Sequence, residues 1–221
     1  WLNKKFWEGS NAPIFVFIGG EGEESCARLS EKMYMYDLAQ EHGALMVNVE
    51  HRFYGESMPL PTRSTDNLRF LSSDQALADL ANVIIHIKKT LNSPNSRIIT
   101  VGGSYPGNLS AWFRLKYPSI THGSIASSAP VTAKVNFAEY MDVVGESIRY
   151  FSGSECYDAL QEGAQHLALL TQDGFGGENM RKLEKDFRVC GEIRNKWDLA
   201  VFYSNIMGNL QGTVQYNNEH M

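Results

Sequence analysis

The run Gly102-Gly103-Ser104-Tyr105-Pro106-Gly107 carries the strongest chemical signal in the chain. It follows the apolar stretch Ile98-Ile99-Thr100-Val101 and precedes Asn108-Leu109-Ser110-Ala111-Trp112, so it reads as the turn between a buried strand and a helix. A serine nucleophile needs that geometry. A sharp strand-to-helix turn lifts the hydroxyl above the sheet edge and aims the next backbone N–H groups at a developing oxyanion. The pattern departs from G-x-S-x-G, because Pro106 holds the second glycine position and glycine follows only at Gly107. Proline is tolerated at the first position of a helix and pushes the residue before it toward extended backbone. The expected cap is therefore Tyr105, with Pro106 as the first helical residue. A plain turn has the same composition, so the flanking chain has to decide.

The elements that would position this serine alternate between strand and helix. Ile14-Phe15-Val16-Phe17-Ile18 is a continuous apolar run of the kind buried on both faces of a sheet. Its C-terminal end opens into Gly19-Gly20-Glu21-Gly22-Glu23-Glu24, where a backbone N–H at Gly20 or Glu21 is a candidate second oxyanion donor. A phosphate cradle is disfavoured by three glutamates and the lack of a Lys-Ser/Thr pair. A helix over 33–42 and a strand over 44–49 come next, and the strand runs into Glu50-His51-Arg52-Phe53-Tyr54-Gly55-Glu56-Ser57. Charges and aromatics there compose either a pocket wall (Glu50, His51, Arg52, Tyr54) or a buried pairing network that holds the loop. The need to satisfy loop-end polar groups favours the structural role for Glu50, His51 and Arg52.

Ser72 or Ser73 caps a long helix reaching Leu91, on which His86 is a packed or surface residue. After the serine turn a helix continues to Tyr117, and a small-residue strand spans 123–130. The order β-α-β-α-β-α-β predicts an α/β fold with a parallel, doubly wound sheet. From about Val131 the pattern turns helical, over 137–150, 154–170, 179–189 and 196–209. Residues 1–130 are thus expected to form the N-terminal part of an α/β core, and 131–221 an incomplete helical insertion, or cap, over its catalytic face.

Composition narrows the class. With 43% hydrophobic and 20% charged residues, the chain resembles a soluble globular protein. A net charge of −5 without a basic run argues against a nucleic-acid surface, and no apolar run approaches the roughly 20 residues of a membrane span. The opening Trp1-Leu2-Asn3 lacks an initiator methionine and a signal peptide, so a piece of a longer protein is expected. Cys156 and Cys190 flank a helical stretch and either form a bridge contributing about 3–4 kcal/mol or stay, with Cys26, as buried thiols.

Taken together, these residues resemble the serine peptidase family of lysosomal Pro-X carboxypeptidase, dipeptidyl peptidase II and thymus-specific serine protease, nearest the thymus-specific branch. The resemblance rests on Gly19-Gly20-Glu21-Gly22, on Val49-Glu50-His51-Arg52-Phe53-Tyr54-Gly55-Glu56-Ser57, on Gly102-Gly103-Ser104-Tyr105 and on Ala111-Trp112-Phe113-Arg114-Leu115-Lys116-Tyr117-Pro118. Val214-Gln215-Tyr216-Asn217 adds to it. Where the family usually has Gly or Ala, this chain has Pro106. The resemblance implies an α/β-hydrolase fold with a helical insertion and residence in a secretory or lysosomal (vacuolar) compartment. It implies Ser104 as nucleophile, Tyr105 as donor of an oxyanion N–H, a Cys156–Cys190 disulfide, and a triad Asp and His beyond Met221.

The residues agree with the last point. In this fold the order is Ser, Asp/Glu, His, each after a later strand, and only one strand follows Ser104. His122 precedes that strand, His166 lies within a helix, and His220 would need late strands where the pattern is helical. The expected activity is that of a serine exopeptidase, carboxypeptidase- or dipeptidyl-peptidase-like, acting on peptides through an acyl-enzyme, with this piece inactive alone. An esterase or lipase on the same fold is one alternative, and a catalytically dead binding relative is another. Neither cofactor nor metal is expected, since no Cys/His cluster has zinc spacing. A homodimer of the longer parent is a compatible assembly. Asn108-Leu109-Ser110 is a glycosylation sequon, expected to stay unmodified inside its helix.

Overall fold

The computed structural model describes residues 1–217. The strands Leu2–Asn3 (β1), Ile14–Ile18 (β2), Leu45–Val49 (β3), Ile98–Gly103 (β4) and Gly123–Ser127 (β5) make one sheet, in the order β1-β3-β2-β4-β5. The helices are Tyr34–His42 (α1), Ser73–Thr90 (α2), Tyr105–Lys116 (α3), Glu139–Ser152 (α4), Ser154–Leu170 (α5), Glu178–Asp186 (α6) and Lys196–Gln215 (α7). The chain divides into two units, 1–133 and 134–221.

In the first unit, β2 through β5 pair in parallel, as the alternating pattern predicts. The exception is β1, which pairs antiparallel with β3 through Leu2↔Val47. A two-residue strand carries no periodicity, so the sheet could not be recognised as mixed from sequence. Side chains of β2 alternate between its faces. Ile14, Val16 and Ile18 pack with Leu77, Leu80 and Ile84 of α2 and with Leu109 and Phe113 of α3. Phe15 and Phe17 pack with Met35, Tyr36 and Ala39 of α1. Burying each such large apolar side chain stabilises the fold by about 1.5–3 kcal/mol.

The placement of these helices follows from crossover handedness. The step from β2 through α1 to β3 runs one way along the sheet. The steps from β3 through α2 to β4, and from β4 through α3 to β5, run the other way. Right-handed crossovers then require α1 on one face and both α2 and α3 on the other, as their cores show. The direction reverses between β2 and β4, which are hydrogen-bonded neighbours from Ile14↔Ile98 to Phe17↔Val101. Open α/β sheets form their ligand crevice at the carboxyl ends of such a pair. This is the α/β-hydrolase arrangement, present here in part.

The second unit has its own small core of Leu167, Met180, Leu183, Ile193 and Phe202. Its longest helix, α7, runs six residues past the predicted end at 209. Packing against α4, including a Tyr140 hydroxyl bond to Gln215, outweighs the weak helix propensity of Gly212. Cys156 and Cys190 are exposed free thiols, as is Cys26, so neither the implied bridge nor the burial of the thiols is observed. Cys156 sits in the first turn of α5, about 21 Å along the axis from Leu170 at 1.5 Å per residue. Cys190 lies beyond the nine residues of α6, which cover about 13 Å, after a residue of positive φ at Arg188 (φ 51). No helix among the described residues is long and apolar enough to cross a membrane.

Candidate active site

Ser104 sits where β4 meets α3, at the reversal point of the sheet, with φ 60 and ψ −132. A non-glycine residue with positive φ outside the small left-handed basin costs of order 1–3 kcal/mol, so the surroundings must hold it. Its N–H donates to Ser127 O at 3.0 Å, and its carbonyl accepts from the Asn108 N–H at 3.1 Å. Nearly two turns on, the Ser110 hydroxyl bonds Thr100 Oγ1 (2.8 Å) and Ser124 Oγ (2.7 Å), locking α3 to β4 and β5. The Ser104 hydroxyl itself makes no capping bond and is exposed.

The helix starts one residue earlier than predicted. Ser104, not Tyr105, is the cap; Tyr105 is the first helical residue and Pro106 the second. Proline costs no hydrogen bond there, because the first N–H groups of a helix have no intrahelical acceptor. Pro106 is accommodated by a contact across the sheet. A Cβ on Gly20 would lie 2.7 Å from Pro106 Cγ, so the bulk at 106 is matched by its absence at 20. Gly107 supplies the close approach expected of the displaced glycine, with an added Cβ 2.9 Å from both Ser127 O and Ala129 Cβ.

A cleft of about 700 Å³ opens beside Ser104. Its floor is apolar (Phe17, Met33, Val101, Ile125), and its rim includes Gly20, Glu21 and Arg28. Gly20, Glu21 and Ser104 thus share one cleft. Among the described residues, the N–H groups of Gly20, Glu21 and Tyr105 have no hydrogen-bond acceptor, whereas the Gly19 N–H is taken by Val49 O at 2.8 Å. The 19–24 loop is pinned at its far end. The Glu24 N–H donates to Glu50 Oε2 at 3.1 Å, and the buried Glu24 carboxylate accepts from Asn48 Nδ2 at 3.1 Å.

Glu50, His51 and Arg52 do not line this cleft; their bonds are those of the pairing network that the loop-end polar groups favour over a pocket wall. Their composition suits either role; only direction distinguishes the two, and they turn inward. Arg52 makes a bidentate pair with Asp79 of α2 (2.6 and 2.7 Å) and also bonds Phe70 O and Gln75 Oε1. His51 is buried, with Nδ1 2.8 Å from Arg52 O and Nε2 3.0 Å from the Tyr105 hydroxyl. Tyr54 does line a cleft, a second one shared with Glu21 and Glu23.

Burial pushes the Glu50 carboxyl up, but the Glu24 N–H, the Ser57 hydroxyl and N–H and the Glu56 N–H outweigh it and hold it below the usual glutamate range. A carboxyl with a depressed folded pKa stabilises above its unfolded pKa and loses that contribution as the pH falls through the folded one. Glu50→Gln should therefore destabilise the full-length protein by about 1 kcal/mol at pH 7, the scale of one net hydrogen bond at a partly exposed site. The difference from wild type should begin to shrink as the pH falls below the ordinary glutamate range, about 4.3, and vanish once the pH lies below the depressed folded pKa. Thermal unfolding midpoints across pH check this; a pH-independent difference would rule it out.

No histidine among the described residues bonds the Ser104 hydroxyl. His122 holds the opposite end of β4, accepting the Ile98 N–H through Nδ1 at 3.2 Å. His86 is exposed on α2, and His166 belongs to α5 of the second unit. His220 lies outside the described residues. The sequon is closed to modification, with Asn108 at 7% exposure and Ser110 at 0%.

The family model for serine carboxypeptidase S28 matches residues 1–221. A Caenorhabditis elegans relative is 39% identical over 224 residues, covering 98% of this chain and 41% of its own length. Human thymus-specific serine protease is 36% identical over 223 residues, 99% of this chain and 43% of that protein. Mouse lysosomal Pro-X carboxypeptidase is 36% identical over 199 residues, 87% of this chain and 40% of that protein. The chain spans about two-fifths of the length of these curated relatives.

Proposed function

Since the chain belongs to the serine carboxypeptidase S28 family, we propose that it carries the nucleophile half of a serine exopeptidase. The observation that supports this most is Ser104 itself: an exposed hydroxyl held at φ 60 at the sheet's reversal point, beside backbone N–H groups without acceptors. Strain of that kind persists only where the surroundings enforce it, and function is its usual companion. Ser104 Oγ attacks the scissile carbonyl. The N–H of Tyr105 and that of Gly20 or Glu21 receive the oxyanion, the amine leaves, and water releases the acyl group. A serine hydroxyl needs a histidine to take its proton. That base and its acid partner belong to sequence beyond this chain, in keeping with the length of the relatives.

Acyl transfer of this kind calls for no cofactor, and the substrate is a peptide, trimmed from its carboxyl end or by dipeptides from its amino end. The second unit is the helical insertion of the same enzyme. The relative named lysosomal supports residence in a lysosomal or secretory compartment. A fluorophosphonate should label the full-length protein at Ser104, located by peptide mass spectrometry, while the 221-residue chain alone should not react. Labelling at another residue would overturn the nucleophile. Strong labelling of the chain alone would overturn the external base. A full-length protein that stays unlabelled would be a catalytically dead relative.

A further inference from the structure

Tyr105 sits between two opposing demands. A following proline disfavours helical backbone at the residue before it, yet Tyr105 is the first residue of α3. Something must hold it there, and its side chain is tied down. The hydroxyl lies 3.0 Å from Nε2 of His51, a residue only 5% exposed. Nδ1 of that ring is 2.8 Å from Arg52 O, and a carbonyl only accepts. Nδ1 therefore carries the proton, and Nε2 of the neutral ring accepts from the tyrosine O–H. The imidazole is further flanked by the Tyr54 and Tyr105 rings, at 5.1 and 5.6 Å between centroids. Arg52 is in turn fixed to α2 through Asp79 and Gln75. A chain of contacts thus runs from α2 to the residue that follows the nucleophile. Burial, with Tyr54 and Glu21 nearby, pushes the Tyr105 phenol up to about 12, so its hydroxyl stays protonated at any physiological pH.

We propose that His51 is a positioning residue for acyl transfer: by holding the Tyr105 hydroxyl it fixes the Ser104–Tyr105 peptide plane and keeps the Tyr105 N–H aimed at the oxyanion. This rests on the reading of Ser104 as nucleophile and of Tyr105 as a backbone donor. Pro106 gives the tether its weight, since the next residue of the turn has no N–H to offer in its place.

The test uses the full-length protein and a peptide substrate. Tyr105→Phe removes only the hydroxyl. It should lower kcat about tenfold, less than the 10²–10³ lost with a whole oxyanion donor, and leave KM within about twofold. A peptidyl trifluoromethyl ketone, which forms a tetrahedral oxyanion on the nucleophile, should bind about tenfold more weakly, while the cleaved product peptide binds as before. His51→Ala should reproduce that pattern. His51→Gln, whose side-chain oxygen can accept from Tyr105, should recover most of the rate. Unchanged kcat and ketone affinity in Tyr105→Phe would overturn the inference, as would an equal loss of product affinity, which marks general loosening. Ser104→Ala separates the two readings. If it retains hydrolysis, the nucleophile falls and this inference with it; if it is inactive while Tyr105→Phe is normal, only the positioning role falls.

Discussion

Gly102→Ala is expected to dismantle the turn that carries Ser104, lowering stability by about 3 kcal/mol or more and abolishing fluorophosphonate labelling. A Cβ at this position would lie 2.2 Å from Pro106 O, 2.4 Å from Pro106 C and 2.8 Å from Gly107 N. All three are backbone atoms of the first turn of α3, so no rotamer change can relieve the overlap. The helix start would have to lift off β4, and with it the bonds by which Ser110 ties α3 to Thr100 and Ser124. The adjacent glycine provides the control. A Cβ at Gly103 meets only Ser127 O, at 4.0 Å, so Gly103→Ala should change stability by no more than about 1 kcal/mol. Thermal unfolding of both variants in the full-length protein, with labelling as second readout, checks the pair. Equal losses at the two positions would mean that close approach is not the reason for glycine at 102.

This contrast marks what could be read from the residues alone. The buried strands were legible because apolar runs such as Ile14–Ile18 have few other destinations. Small residues flanking a lone serine between such a run and a helix announced the turn. The anchoring role of Glu50, His51 and Arg52 was legible from the polar groups that a loop end must satisfy. Their partners (Ser57, Tyr105, Asp79) were not, because the fold brings them together from distant sequence. The start of α3 was misplaced for the same reason. Local proline chemistry points to extended backbone at Tyr105, and a hydrogen bond spanning 54 residues of sequence overrides it. Pro106 reads as an anomaly in its motif until Gly20 is placed against it by the pairing of β2 with β4. Local chemistry singled out Ser104; only tertiary contacts explain why it can sit where it does.

The backbone of Ser104 leads to an expected result with two opposite signs. Ser104→Gly should abolish labelling and lower peptide hydrolysis by about 10⁴-fold or more, as loss of an acyl-transfer nucleophile does. The same substitution should raise stability by about 1 kcal/mol. Glycine relieves the φ of 60 and ψ of −132, a gain of order 1–3 kcal/mol, offset in part by its extra freedom in the unfolded chain. Nothing is lost with the side chain, which is exposed and makes no capping bond. Ser104→Ala is the informative partner. It removes the same oxygen but keeps a Cβ at positive φ, so it should be equally inactive without the gain in stability. Activity assays and thermal unfolding of the two variants separate the chemistry of the hydroxyl from the strain of the backbone. If glycine and alanine prove equally stable, the conformation at 104 stores nothing, and the turn is ordinary. If glycine alone stabilises, the protein is holding its serine in a shape it would otherwise leave, and the cost is borne for the sake of the exposed oxygen.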